Sequence, residues 1–477
     1  MNKMMDLLEA VSAMSGILVG DNVSFSGVST DSRAVSAGQL FFALRGDKFD
    51  GHTFITTAMD RGAVAAVVDT ESAPSLKDSG LPLITVGDTR LALGLLAANW
   101  RARFALPVIA VTGSNGKTTS KEMIAGILRA AFNDAPDSVL ATQGNLNNDI
   151  GLPLTLLQLN ARHRAAVIEM GMNHPGEIAY LARITRPTVA IVTNAQRAHL
   201  AGMGTLETIA REKGSVFMDL GKQGVAVFNA DDQWAGLWRT QSADHQVMSF
   251  SFERAAEVTG TFLVRGLETH LTISAQNQQI EVALALPGAH NARNALGAAT
   301  AALAAGVALT AVRDGLAAFR GIKGRLQRRA GLNGATVLDD TYNANPDSVR
   351  AGIDVLAATV GKKILVLGDM GEIGEMTGQF HDEVGGYAKS QGIDMLFGFG
   401  DSSALTVHNF GAGGQHFKKI DDLIEALGAE LTPQTTALVK GSRFMRMERV
   451  IEAVAEDVTE AVPEVVADEA PPAKEEK

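Results

Sequence analysis

A glycine-rich stretch at residues 112–119, TGSNGKTT, holds the side chains best suited to chemistry. It follows an apolar run at 107–111 and precedes a helix-like run at 120–132. A strand, a glycine turn and a helix start form a phosphate-binding loop, because backbone N–H groups at a helix start point at an anion. Lys117 adds a positive charge, and Thr118 offers a hydroxyl to Mg²⁺. The stretch therefore predicts a site for nucleotide phosphates.

The spacing of this loop is unusual. The common pattern G-x-x-x-x-G-K-[ST] requires glycine at position 111, where this chain has Val111. The alternative interpretation is a glycine turn with a solvated lysine. The flanking strand and helix, together with the doubled threonine, favour the phosphate site.

Two further candidates follow apolar strands. Glu169 lies at the end of the predicted strand 165–170, at the edge where open α/β sheets bind ligands, and could hold Mg²⁺. The alternative is a carboxylate that caps a turn. His199 lies in the glycine-punctuated loop 193–204, where a ligand role and a structural role are equally open.

Three other groups of residues are weaker candidates by themselves. Lys213, in Arg-Glu-Lys-Gly, alone would be an ordinary surface lysine. Asn291 and Asn294 are three apart and share a helix face, so they could read a purine or a ribose, or Asn291 could cap the helix. The run 338–348, LDDTYNANPDS, has more polar groups than capping explains.

The composition is that of a globular protein without disulfides. Hydrophobic residues make up 46% of the 477 residues, and cysteine is absent, which suits a reducing cytoplasm. The net charge is −11, of which residues 451–477 carry −7. The nearly neutral remainder gives no basic footprint for nucleic acid. We also expect no signal peptide and no membrane span.

The elements that must position these residues alternate between apolar runs and helical patterns, which predicts α/β architecture with parallel sheets. Four buried strands are predicted at 107–112, 165–170, 188–194 and 224–229, and two or three antiparallel strands at 258–286. A second alternation has strands at 336–338, 363–367, 395–398 and 436–439. We predict four regions: domains at 1–105, 106–322 and 323–460, and a disordered acidic tail at 461–477.

In this order, the phosphate loop, Glu169, the loop to His199, the His290–Asn294 segment and the 340–346 segment resemble the Mur ligase family. These are the ATP-dependent amide ligases of peptidoglycan assembly, and the similarity spans about residues 25–450. The short phosphate loop is the form found in that family. The resemblance implies a central P-loop parallel-sheet ATPase domain, flanked by a small N-terminal α/β domain and a C-terminal Rossmann-like α/β domain.

The resemblance also implies roles for individual residues. The ATP-binding residues would be Gly113, Ser114, Asn115, Gly116, Lys117, Thr118, Thr119, Asn291, Asn294, Arg325 and Asp340. The Mg²⁺ ligands would be Thr118, Glu169, His199 and Lys213, the last as a carbamylated lysine. Lys117, Lys213, His199 and Glu169 would be the catalytic residues.

Other segments indicate the substrates. The residues Ser29, Asp31, Ser32, Arg33, Phe42, Gly51 and His52 resemble the N-terminal domain that binds the uridine diphosphate part of the substrate. The remaining expected substrate contacts are Asn145, Asn147, Asn148, Tyr342, Asn343 and Asn345. The segments 144–153, 339–347 and 367–372 are typical of the family member that adds D-alanyl-D-alanine to UDP-N-acetylmuramoyl-tripeptide.

We therefore expect a monomeric, cytoplasmic ligase that uses ATP and Mg²⁺. Within the family, the alternatives are the ligase that adds diaminopimelate or lysine, whose D-N-P-R signature is absent here, and folylpolyglutamate synthase. Outside it, the alternative is a nucleotide-binding switch or scaffold that hydrolyses ATP slowly.

Overall fold

The structure, a computed structural model, describes residues 3–46 and 49–456. The acidic tail predicted at 461–477 lies outside these residues. Three separate main sheets follow one another along the chain, and we name the parts that contain them the N-terminal, central and C-terminal units. None of the helices in the described ranges is long and apolar enough to cross a membrane.

The N-terminal unit is built on a five-stranded sheet of order β2-β9-β8-β5-β4, in which only β2 runs antiparallel to its neighbour. Two short pairs, β1 with β3 and β6 with β7, lie beside it. Its strands are β1 (Met5–Asp6), β2 (Ile17–Val19), β3 (Ser24–Phe25), β4 (Gly27–Ser29), β5 (Gln39–Phe42), β6 (Arg45–Gly46), β7 (Phe49–Asp50), β8 (Ala65–Asp69) and β9 (Leu83–Val86). Its helices are α1 (Leu7–Met14), α2 (Ile55–Asp60), α3 (Ala73–Leu76) and α4 (Thr89–Arg101).

Helix α4 links this unit to the next. Asp88 caps its first turn by accepting hydrogen bonds from the backbone of Arg90 and Leu91. At its other end the buried Arg101 donates to the carbonyl of Thr185 in the central unit, at 3.0 Å. The helix therefore fixes the N-terminal unit against the central one.

The central unit has a nine-stranded sheet of order β11-β12-β10-β13-β14-β15-β16-β17-β18. Its strands are β10 (Val108–Thr112), β11 (Val139–Ala141), β12 (Ala165–Glu169), β13 (Val189–Val192), β14 (Val225–Asn229), β15 (Gln246–Ser251), β16 (Val258–Arg265), β17 (Glu268–Ala275) and β18 (Gln278–Leu284). Its helices are α5 (Lys117–Ala131), α6 (Gly151–Leu156), α7 (Glu177–Thr185), α8 (Leu200–Met203), α9 (Leu206–Gly214), α10 (Ala235–Gln241), α11 (Ala289–Ala304) and α12 (Leu309–Ala318).

The four strands predicted in the central unit are β10, β12, β13 and β14, all parallel to their neighbours. Each is fully buried, as their continuous apolar runs predict. The predicted antiparallel segment consists of β16, β17 and β18. It is not a separate sheet, because β16 pairs in parallel with β15 and extends the main one.

The C-terminal unit has a six-stranded sheet of order β19-β20-β24-β21-β22-β23, parallel except for the edge strand β19. Its strands are β19 (Gln327–Ala330), β20 (Thr336–Asp340), β21 (Lys362–Gly368), β22 (Met395–Phe399), β23 (Gly414–Phe417) and β24 (Thr435–Lys440). Its helices are α13 (Pro346–Ala357), α14 (Thr377–Ser390), α15 (Ser403–Phe410), α16 (Ile420–Glu430) and α17 (Glu448–Val454). The two edge strands, β19 and β23, were not predicted because they are largely polar.

Candidate active site

A cavity of about 1480 Å³ lies where the three units meet. The loops after β10, β12 and β13 line it from the central unit, and the loops after β20 and β24 line it from the C-terminal unit. Asp88, Arg90 and Leu91 line it from the N-terminal unit. The cavity thus lies at the carboxyl ends of parallel strands in two sheets, which is where open α/β sheets bind ligands.

The phosphate loop turns sharply from β10 into α5. Gly116 has a φ of +79°, a conformation that favours glycine, and lies directly before the first helical residue, Lys117. A Cβ atom at Gly116 would come within 2.2 Å of Oδ1 of Asn294. The helix begins three residues earlier than the apolar pattern predicts. Its first residues line the cavity, and the first N–H groups of a helix have no partner within the helix.

The ammonium group of Lys117 is held within the loop itself. Its Nζ donates to the carbonyls of Gly113, at 2.8 Å, and Ser114, at 3.1 Å. Burial lowers the pKa of Lys117, while the carboxylate of Glu169 opposes that shift. The charge therefore lies at the loop, close to the acidic side chain.

Glu169 is 2% exposed at the end of β12. One carboxylate oxygen, Oε1, accepts from Nδ2 of Asn147 at 2.8 Å. The other, Oε2, is buried without a hydrogen-bond partner among the described residues. A buried oxygen without a partner is costly, so this atom is suited to a cation. The turn-capping alternative for Glu169 is wrong, because neither oxygen accepts from a turn.

His199 faces the C-terminal unit across the cavity. Its Nδ1 lies 3.0 Å from a carboxylate oxygen of Glu372, without the angles of a hydrogen bond. Contact with His199 lowers the pKa of Glu372. Across the parts of the chain that the structure describes, no group of three or more acidic or histidine side chains could hold a metal ion. Thr118, Glu169 and His199 therefore fit Mg²⁺ only if phosphate and water supply its other ligands, which is common for this ion.

Lys213 is buried in α9, 1% exposed, and does not line the cavity. Burial lowers its pKa well below the usual value, and the nearby ammonium of Lys117 adds to this. The surface alternative for Lys213 is therefore wrong. A buried lysine with a lowered pKa is shifted toward its neutral form.

Asn291 and Asn294 lie at the start of α11 and both line the cavity. Asn291 donates from Nδ2 to the carbonyl of Pro287 at 2.8 Å and does not cap the helix, so the capping alternative is wrong. Asn294 is 9% exposed and packs against Gly116. The two amides therefore lie directly behind the phosphate loop.

The C-terminal unit contributes its own set of polar residues to the cavity wall. Nη2 of Arg325 donates to Oγ1 of Thr118 at 2.9 Å, and its guanidinium lies 4.1 Å from the ring centre of Tyr342. Asp340 accepts from the buried Nζ of Lys440 at 2.6 Å, and that ammonium also donates to the carbonyl of Asn343 at 2.9 Å. All six of these residues line the cavity.

Asn345 joins the C-terminal unit to the phosphate loop. Its Nδ2 donates to Oδ1 of Asn115 at 2.8 Å, and its Oδ1 accepts from Nδ2 of the same residue at 3.3 Å. The same Oδ1 accepts from the backbone of Ser348 and caps α13.

The N-terminal residues expected to bind substrate lie outside this cavity: Ser29, Asp31, Ser32, Arg33, Phe42, Gly51 and His52. The Phe42 side chain is fully buried in the hydrophobic core, which corrects its expected contact with substrate. His52 is fixed between Asp50 and the backbone N–H of Asp69. By contrast, Asn145, Asn147 and Asn148 all line the cavity.

Sequence reasoning gave no role to Arg197 or Lys440. Arg197 forms hydrogen bonds to Asp347 and Glu383, which are 150 and 186 residues away in sequence, so no local pattern indicates these contacts. Lys440 is the last residue of the buried strand β24. A charged residue at the end of a buried strand was the one signal in the sequence that could have indicated a functional role.

Three family models match the chain, and the chain belongs to the Mur ligase family. The Mur ligase family catalytic domain matches residues 24–101, the Mur ligase middle domain 111–302, and the Mur ligase glutamate ligase domain 324–443.

Individual relatives agree with this assignment. The chain is 40% identical to the UDP-N-acetylmuramoyl-tripeptide–D-alanyl-D-alanine ligase of Escherichia coli K12, covering 95% of this chain and 99% of that protein. A crystal structure of MurF from Acinetobacter baumannii has a TM-score of 0.87 at 34% identity, covering 94% of this chain and 98% of that one. MurF from Thermotoga maritima in complex with ADP has a TM-score of 0.79 at 26% identity, covering 90% and 96%.

Proposed function

We propose that the chain joins D-alanyl-D-alanine to UDP-N-acetylmuramoyl-tripeptide at the expense of ATP, forming the pentapeptide precursor of peptidoglycan. The observation that carries this is the cavity shared by three units, with a phosphate loop on one wall and a polar C-terminal loop on the other. Relatives named for this activity match nearly the whole chain. The protein acts in the cytoplasm as a monomer.

The reaction proceeds through an acyl phosphate. The terminal carboxylate of the tripeptide attacks the γ-phosphorus of ATP, and ADP leaves. The amine of D-alanyl-D-alanine then attacks the acyl carbon, loses a proton, and phosphate departs from the tetrahedral intermediate. Two unit charges at about 4 Å interact by roughly 4 kcal/mol at an effective dielectric of 20, so carboxylate and phosphate must be screened from each other.

This chain supplies the screening from fixed groups. Lys117 and the free N–H groups at the start of α5 would face the phosphates, and Arg325 adds a second positive charge beside Thr118. Because these groups are already in place, they stabilise developing charge without reorganisation. Asn291 and Asn294 would contact the nucleoside from behind the loop, and Asp340 would approach it from the C-terminal unit.

Mg²⁺ would be held by Thr118, Glu169 and His199, and when bound it neutralises phosphate charge. The carbamylated form of Lys213 would add a carboxylate to this group. A neutral amine is the form that reacts with carbon dioxide, and the lowered pKa of Lys213 favours it.

The remaining expected contacts divide between the two substrates. Asn145, Asn147 and Asn148 would contact the muramoyl peptide, and Tyr342, Asn343 and Asn345 would contact the reacting end. The uridine diphosphate part would lie on the N-terminal unit, at the residues 29–33 and 51–52. These last residues are outside the cavity, which suits a substrate long enough to span two units.

An acceptor-dependence assay tests the proposal. Phosphate release should require ATP, Mg²⁺, a UDP-muramoyl-tripeptide and D-alanyl-D-alanine together, and mass spectrometry should detect the pentapeptide. Release with neither substrate present would favour the nucleotide-binding switch. Release with a muramoyl dipeptide and a single amino acid would favour the ligase that adds the third residue.

A further inference from the structure

The loop after β13, residues 193–199, contacts both the phosphate loop and the C-terminal unit; we call it the bridging loop. On one side it is fastened to the phosphate loop. The carbonyl of Asn194 accepts from the backbone of Ser114 at 3.0 Å, and that of Gln196 accepts from Oγ of the same serine at 3.0 Å. The side chains of Asn194 and Gln196 also bind Asn115, at 2.9 and 2.7 Å. Any shift of one loop must therefore move the other.

On its other side, the bridging loop contacts the C-terminal unit through His199, beside Glu372, and through Arg197, which binds two helices. Nε and Nη2 donate to Oδ1 of Asp347 on α13, at 3.0 and 2.7 Å. Nη1 and Nη2 donate to the two carboxylate oxygens of Glu383 on α14, at 2.8 and 3.1 Å. The backbone N–H of Arg197 donates to Oδ2 of Asp347, at 2.8 Å.

This cluster differs from an ordinary surface ion pair. The side chains of Arg197, Asp347 and Glu383 are 19%, 23% and 31% exposed, and the guanidinium lies 5.1 Å from the ring centre of Phe380. A planar guanidinium can serve two carboxylates at once, and lysine cannot reproduce this geometry. If the two units separated, Arg197 would lose both carboxylates together.

We propose that Arg197 is a positioning residue for the ligation reaction, which clamps the C-terminal unit against the phosphate loop. This rests on the proposed function, since a ligase needs the acceptor brought to the phosphorylated carboxylate. Arg197 does not line the cavity, whereas its neighbours Gln196, Ala198 and His199 do. It therefore acts on the distance between the two walls and not on the reacting atoms.

The test combines kinetics with a direct measure of closure. Because the chain has no cysteine, Asp244→Cys and Glu425→Cys, both at exposed positions of the central and C-terminal units, give one labelled pair for energy transfer. In the full-length protein with ADP and Mg²⁺, we expect Arg197→Ala to lower the closed fraction and to lower kcat about tenfold or more. Arg197→Lys should keep only part of the closed fraction and only part of kcat. Arg211→Ala, which removes an arginine from an exposed pair with Glu207, should change neither.

A double-mutant cycle adds a second measure. Arg197→Ala and Glu383→Ala should be clearly less than additive in both kcat and closed fraction, because both remove the contact between these two side chains. Glu383 also accepts from Nη1 of Arg350 at 2.9 Å, so Arg350→Ala measures the part of the Glu383→Ala effect that does not involve Arg197. Additive effects, or a closed fraction unchanged in Arg197→Ala with intact circular dichroism, would overturn the clamp and leave the proposed function standing. If the unmutated protein makes no pentapeptide, the proposed function fails, and the energy-transfer result still decides whether Arg197 holds the two units together.

Discussion

Nη2 of Arg325 lies 2.9 Å from Oγ1 of Thr118, so a residue near the start of the C-terminal unit reaches back to the phosphate loop 207 residues earlier. The guanidinium also stacks on Tyr342. This single contact ties the position of the C-terminal unit to the group expected to bind Mg²⁺.

Replacing Arg325 tests whether its contact with Thr118 matters for nucleotide binding. Arg325→Lys keeps a positive charge but loses the planar fork and the stacking on Tyr342, so we expect KM for ATP to rise about tenfold. Steady-state kinetics with varied ATP measures this. Arg320→Lys, an exposed position nearby, is the matched control and should behave as the unmutated protein. An unchanged KM in Arg325→Lys would remove this residue from the nucleotide site.

Lys117→Ala should abolish ligation while leaving the fold intact. The ammonium is the charge nearest the loop carbonyls, and electrostatic groups of this kind contribute about a hundredfold or more to kcat. Circular dichroism and kcat under saturating substrates are the measurements. Lys222→Ala, at an exposed position, controls for loss of a lysine. Turnover close to that of the unmutated protein would contradict the assignment of the loop.

Lys213→Ala should lose about a hundredfold in kcat, in the range seen when a group near a metal is removed. If the carbamate is the functional form, a small added carboxylate should restore part of the activity. The same addition to Lys117→Ala should restore none, since that variant lacks a cation. Full activity in Lys213→Ala would exclude this lysine from the site.

Asn345 offers a way to separate helix capping from contact between units. Asn345→Ser keeps a capping side chain but cannot reach Asn115, whereas Asn345→Ala loses both. We expect Asn345→Ala to lower the free energy of unfolding by about 1 kcal/mol, Asn345→Ser to change it little, and both to lower kcat. Urea unfolding and steady-state kinetics measure the two effects. Normal kcat in Asn345→Ser would mean that the contact with Asn115 does not matter for catalysis.

His290 gives a prediction for pH dependence. Burial, with Lys440 and Arg293 nearby, lowers the pKa of His290 from 6.5 to about 4. Between these values the unfolded chain binds more protons than the folded one, so stability rises with pH across this window and falls on acidification.

The drop in Tm between about pH 7 and about pH 4.5 should therefore be smaller for His290→Gln than for the unmutated protein. His408→Gln, at an exposed position, should keep the full difference. If acidification lowers Tm as much in His290→Gln as in the unmutated protein, other groups cause the acid sensitivity.

The sequence could predict the parts of the site in which each functional residue lies close in sequence to the strand that positions it. Glu169 ends a buried strand, Lys117 and His199 each lie in the segment after one, and a parallel sheet brings such strand ends to one edge. The contact between Arg197 and Asp347 depends instead on how two units dock, which no periodicity encodes. Phe42 illustrates the opposite error, since a residue inside a matching motif can serve the core and not the ligand.

The reciprocal amide contact between Asn115 and Asn345 is polar, part-buried at the cavity wall, and formed by two side chains. Such a junction is weaker than a hydrophobic interface of the same size, and a competing amide can replace either partner. A small molecule with a donor and an acceptor side by side would compete for this one contact between the two walls. Such an inhibitor would need no resemblance to nucleotide, sugar or peptide.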